Sequence, residues 1–108
     1  MTDRELSPQR VAELVARDEV QLVDVREPYE HEAGRLSAAR HLELARLAAE
    51  AGTIDRERPV IFYCRVGARS AMAAQAFEAA GWDAWNLSGG IVAWVAAGLP
   101  IEGRVADH

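Results

Sequence analysis

Cysteine occurs once in the 108 residues, as Cys64, which excludes an internal disulfide. The three histidines, His31, His41 and His108, do not stand with it at the spacing of zinc ligands, so no metal site is expected. Positive charge is also in deficit. The net charge is −5 and the isoelectric point about 5.1. An acidic surface is repelled at long range by nucleic acids and anionic membranes, so neither is expected as a partner. No segment approaches the roughly 18 continuous apolar residues of a membrane span, and Met1 to Arg10 lack a basic stretch followed by an apolar run. The expected location is cytoplasmic, where a thiol stays reduced. Internal repeats and low-complexity segments are missing too. Small molecules and other proteins remain as partners.

Half of the residues are hydrophobic, enough to bury one core, and residues 1–108 read as a single domain. Ser7 and Pro8 look like a helix cap and first helical residue, with Val11, Leu14 and Val15 at helical spacing to about Arg17. Val20 to Val25 reads as a buried strand that stops at Arg26-Glu27-Pro28. One helical turn is expected over Tyr29 to Ala33 and a very short strand at His41-Leu42. Leu44, Leu47, Ala48 and Ala51 predict an amphipathic helix stopped by Gly52, and the charged segment from Ile54 to Pro59 an exposed linker. Val60 to Tyr63 is the clearest strand, apolar throughout as a central parallel strand is. Ala73, Ala76, Phe77 and Ala80 mark a helix ended by Gly81. Trp85 to Leu87 reads as a strand, Gly89-Gly90 as a tight turn, and Ile91, Trp94 and Val95 as the buried stripe of a last helix. Gly103 to His108 is expected to fray. Strands alternating with helices predict an α/β fold with a parallel sheet covered on both faces.

In such sheets ligands bind beyond the carboxyl ends of the strands, and Cys64 stands directly after the best strand and before a helix. The segment Cys64-Arg65-Val66-Gly67-Ala68-Arg69-Ser70 follows. Curled around the sulfur, its N–H groups would form a nest favouring a negative atom, with Gly67 supplying the positive φ. The helix N-terminus and the guanidinium groups of Arg65 and Arg69 would then favour the thiolate, the form that attacks sulfur. The bland alternatives are a small buried hydrophobe for Cys64 and solvated surface charges for the two arginines.

Three segments together resemble the rhodanese family over nearly the whole chain: Val23-Asp24-Val25-Arg26-Glu27-Pro28 with Tyr29 and Glu30, the Cys64 to Ser70 loop, and Leu87-Ser88-Gly89-Gly90-Ile91 with Trp94. The resemblance implies a rhodanese-like, five-stranded parallel sheet with helices on both faces, its edge strand reduced to about Arg4 to Leu6. It also implies that Cys64 is the persulfide-forming nucleophile, that the amides from Arg65 to Ser70 (Val66, Gly67, Ala68 and Arg69 between them) cradle the transferred sulfur, and that Arg65 attracts a thiosulfate sulfonate. In the family Asp24 and Arg26 lie near the active site, with a structural ion pair as their other reading. Where the family usually has Gly-His-Ile-Pro-Gly-Ala, this chain has Gly34-Arg35-Leu36-Ser37-Ala38-Ala39. That departure could change a cleft wall, with Arg35 either at its rim or simply exposed.

The expected activity is a ping-pong thiosulfate sulfurtransferase that passes sulfane sulfur from thiosulfate or a persulfide donor through Cys64 to a thiol, a protein acceptor or cyanide, without cofactor or metal. The alternative is a sulfur-carrier or protein-interaction module without efficient thiosulfate turnover. A phosphatase or arsenate reductase is disfavoured, because Arg69 closes a Cys-x4-Arg loop one residue shorter than the Cys-x5-Arg loop of thiol phosphatases.

Overall fold

The computed structural model describes residues 4–106. Strand β1 (Glu5–Leu6) is followed by α1 (Pro8–Ala16), where Ser7 Oγ accepts the Arg10 amide at 3.1 Å and Pro8 takes the first helical position. Next come β2 (Gln21–Asp24), α2 (Pro28–Ala33), β3 (Gly34–Arg35), β4 (Arg40–His41) and α3 (Leu44–Leu47). The second half alternates regularly: β5 (Val60–Tyr63), α4 (Ala68–Ala79), β6 (Ala84–Leu87), α5 (Gly90–Ala96) and β7 (Glu102–Gly103).

The main sheet has the order β1-β6-β5-β2-β4, and every neighbouring pair in it is parallel. This is the parallel sheet that the alternation implies, with the five strands that the family resemblance implies. Side chains alternate across β5, and that alternation builds two cores. Val60 and Phe62 pack with Leu47 of α3 and with Ala73, Ala74 and Phe77 of α4. Ile61 and Tyr63 pack with Val11 of α1 and with Ile91 and Trp94 of α5. Helices therefore cover both faces, and all four residues of β5 are buried. Truncating Phe62, edge-on to Phe77 with ring centroids 4.9 Å apart, would cost about 3–5 kcal/mol.

Several local expectations shift. The helix expected over Leu44 to Ala51 stops at Leu47, and Ala51–Thr53 form a 3-10 turn, because Ala48 and Ala51 bury too little to hold a longer helix. The short strand lies at Arg40–His41 and not His41-Leu42. Ile54, expected in an exposed linker, is buried in the core beside α4. Val95 is 42% exposed, since Ile91 and Trp94 fill the narrow covered face of α5. The segment from Gly103 does not fray at its start. Strand β7 pairs antiparallel with β3, and the Arg104 amide donates to the Ala33 carbonyl at 2.8 Å. Asp107 and His108 of that expected tail lie outside the described residues.

Candidate active site

Strand β5 sits between β2 and β6, and it delivers Cys64 to the carboxyl end of the sheet. Gly67 then turns the chain back with φ +101°, a left-handed conformation that L side chains rarely adopt. Its amide comes within 3.1 Å of Cys64 Sγ. Ser70, in the first turn of α4, adds its amide at 3.5 Å and its hydroxyl at 3.3 Å. Cys64 itself is 1% exposed. Burial pushes its thiol pKa up. The Ser70 hydroxyl and the amides of Ser70, Gly67 and Arg69 outweigh that and hold it below the ordinary 9.0. The positive end of α4 acts in the same direction.

The carbonyl groups of the same loop are gripped from behind. The amides of Ile91 and Val92 donate to the Cys64 and Arg65 carbonyls at 2.9 and 3.1 Å. A Cβ on Gly90 would overlap the Cys64 carbonyl oxygen, so the start of α5 approaches this closely because that residue is glycine. Asn86 of β6 donates Nδ2 to the Gly67 carbonyl at 3.2 Å. Amides inward and carbonyls outward make the loop a nest around one sulfur atom.

The two loop arginines are held differently. Arg69 forms a bidentate pair with Glu30 of α2, at 2.9 and 3.1 Å, and so braces α4 against α2. Burial raises the Glu30 pKa, and the bonds from Arg69 and the Glu27 amide bring it below the usual 4.5. Arg65 lies within 3.4 Å of the Ala106 carbonyl, beyond β7. Of the remaining loop residues, Val66 is 60% exposed and Ala68 is exposed at the start of α4.

Asp24 and Arg26 do not line an open cleft; both are fully buried. Arg26 Nε and Nη2 donate to the two Asp24 oxygens at 2.9 and 2.7 Å, and Nη2 also reaches the Gly34 carbonyl at 2.7 Å. Tyr63 donates its hydroxyl to Asp24 at 3.0 Å and accepts the Leu36 amide, while His31 Nδ1 lies 2.8 Å from the same carboxylate. Burial raises the Asp24 pKa, but its bonds to Arg26 and His31 bring it below 3.8. Arg35 is partly exposed, donates to the His31 and Glu32 carbonyls, and pairs with Glu102 at 3.4 Å. It ties β3 to β7.

Two residues without an assigned role at the sequence level now have one. Glu30 neutralises Arg69, and its only local signal is the spacing Glu27-x-x-Glu30 at a proline-started helix. Asn86 props the loop. A buried asparagine inside an apolar strand is itself such a signal, because its amide needs a partner. The cavities of about 300 and 280 Å³, walled by Val15, Gln21 and Arg40 and by Leu6, Leu14 and Trp85, do not include Cys64 in their linings. The sulfur sits in a close-fitting loop, not at the base of either cavity. Among the described helices none is long and apolar enough to cross a membrane.

Comparison with known proteins agrees with this geometry. The pattern of the Rhodanese-like domain matches residues 7–97. A sulfurtransferase of Allochromatium vinosum is 38% identical over 100 residues, covering 92% of this chain and 91% of that protein. The thiosulfate sulfurtransferase GlpE of Coxiella burnetii is 31% identical over 97 residues, covering 89% of this chain and 91% of that protein. The crystal structure of a rhodanese-related protein from Thermoplasma volcanium superimposes with a TM-score of 0.86 at 24% identity, covering 94% of this chain and 99% of that one. That structure shares the fold.

Proposed function

This chain belongs to the rhodanese-like domain family, and from that premise we propose that it is a sulfurtransferase using thiosulfate as donor and a Cys64 persulfide as intermediate. The Cys64 thiolate attacks the outer sulfur of thiosulfate. A new S–S bond forms, the old one breaks, and sulfite leaves with the electron pair. An acceptor thiolate or cyanide then takes the outer sulfur of the persulfide and returns Cys64 as thiolate, so charge and sulfur balance in each half. The observation that carries the reading is the ring of donors from Gly67 and Ser70 on a buried, solitary sulfur. Those donors stabilise charge on Sγ and, one bond further out, on the transferred atom. Arg65 supplies the positive field for an anionic donor, while Arg69, already paired with Glu30, fixes the loop. The mechanism asks for no cofactor or metal, and a reduced thiol suits the cytoplasm.

A protein persulfide is the second donor to weigh. Val66 and Met72, 60% and 61% exposed, stand in the loop and in the helix that follows Cys64, where a partner protein would meet them. Steady-state turnover of thiosulfate separates the two. The chemistry is tested by incubating the protein with thiosulfate and weighing it intact: one sulfur atom is gained, reductant removes it, and Cys64→Ser neither gains it nor turns over. A folded Cys64→Ser with wild-type turnover would end the reading.

A further inference from the structure

We infer that Asn86, oriented by Glu5, is a positioning residue for the Cys64 sulfur. The role rests on Cys64 being the reacting thiol. Asn86 is 3% exposed in the middle of β6, and its Nδ2 faces three acceptors: Glu5 Oε1 at 2.9 Å, Glu5 Oε2 at 3.0 Å and the Gly67 carbonyl at 3.2 Å. Its Oδ1 is buried without a hydrogen-bond partner among the described residues. Leaving an acceptor unmet costs stability, so the orientation needs a cause. The cause is charge. Turned the other way, the amide would press Oδ1 against a carboxylate and a carbonyl, acceptor against acceptors. Glu5 therefore decides which end of the amide looks toward the active-site loop, and Nδ2 is that end.

What the bond holds is the one left-handed residue of the loop. The Gly67 carbonyl accepts from Asn86 and from the Ala71 amide at 3.0 Å, which anchors one peptide plane of Gly67, while the other plane aims its N–H at Sγ. Without Asn86 the glycine, free to rotate about both bonds, loses half of that anchorage. Its amide then leaves the sulfur for part of the time, and the thiolate loses a donor. Glu5 belongs to the edge strand β1, in register with Asn86, so a two-residue strand at the sheet margin is connected by hydrogen bonds to the reacting sulfur.

The test reads the thiol directly. Because the chain has one cysteine, the pH dependence of alkylation by iodoacetamide, followed by intact mass, titrates Cys64 alone. Asn86→Ala should raise the midpoint and slow alkylation at pH values below it by about fivefold, the worth of one hydrogen bond. Glu5→Ala, at an exposed residue whose loss spares the core, should shift the midpoint the same way but less. Its sign is diagnostic, because removing a carboxylate would by charge alone favour the thiolate and lower the midpoint. Glu5→Gln, which drops the charge and keeps an acceptor for Nδ2, should restore the wild-type midpoint or fall below it. A wild-type midpoint below that of a free thiol, left in place by Asn86→Ala or lowered by Glu5→Ala, overturns the positioning role. A wild-type midpoint equal to that of a free thiol would instead overturn the activated thiol on which the role rests.

Discussion

Ser70 contributes both a hydroxyl and an amide to the Cys64 sulfur, and the hydroxyl is the part that substitution removes cleanly. Ser70→Ala should raise the thiol pKa, because it removes from the thiolate one hydrogen bond worth about 1 kcal/mol. The sign follows from the wild-type thiol lying below its ordinary value. Persulfide formation should then be slower on the acid limb of the pH profile, and the two proteins should converge once both are fully ionised. Identical limbs would take the hydroxyl out of the mechanism. Arg65→Ala should lower kcat/KM for thiosulfate by about tenfold, the cost of one charge-assisted contact, while persulfide release to a neutral thiol changes little. Equal kcat/KM values would remove Arg65 from donor binding. Cys64 was legible as a candidate because the strand, glycine loop and helix around it are local in sequence. The partner of Arg69 was not, since Glu30 lies 39 residues away and no local pattern announces a bidentate pair.

At the scale of elements, the loop between β5 and α4 is short. The Gly67 amide of that loop and the Ser70 amide in the first turn of α4 lie 3.1 and 3.5 Å from a single sulfur, which suits one sulfane atom better than a tetrahedral oxyanion. Hydrolysis of aryl phosphates and reduction of arsenate should therefore be negligible where thiosulfate is turned over. Inserting one residue between Gly67 and Arg69 should weaken sulfur transfer and widen the ring toward phosphate-like anions. Robust phosphatase activity of the wild type, lost in Cys64→Ser, would reverse the argument from loop size. Most elements were readable because their signals are periodic: the apolar run of β5, the Ser7-Pro8 start of α1 and the stripe of α4 all rest on neighbouring residues. The pairing of β3 with β7 was not. Its strands have two residues each, lie almost 70 positions apart, and are held by backbone bonds that leave no hydrophobic pattern. Tyr63 illustrates the same limit, for its position before Cys64 is plain in the sequence, whereas its hydroxyl belongs to the Asp24 cluster on the other side of the strand.

For the molecule as a whole, the Asp24–Arg26 pair joins β2 to the start of β3 at the centre of the fold. Because the folded pKa of Asp24 lies below 3.8, its contribution to stability is present above that value and is lost as the pH falls through the folded pKa. Asp24→Asn leaves the Arg26 charge buried without its counter-charge and should cost about 3–5 kcal/mol at neutral pH. The difference from wild type should narrow in acid, as urea unfolding at a series of pH values would reveal. A gap that stays constant down to strong acid would assign the loss to shape and not to charge. The strand order also has a consequence for synthesis. Strand β1 precedes all the other described strands in the chain, yet among the described residues its one neighbour in the sheet is β6, whose Asn86 lies 81 residues after Glu5. As a chain leaves the ribosome, Cys64 emerges before the strand that props its loop, and β1 must wait for that strand. The hydrogen bonds that run from Glu5 through Asn86 to the Gly67 carbonyl therefore close late, after Cys64 and its loop have already been made.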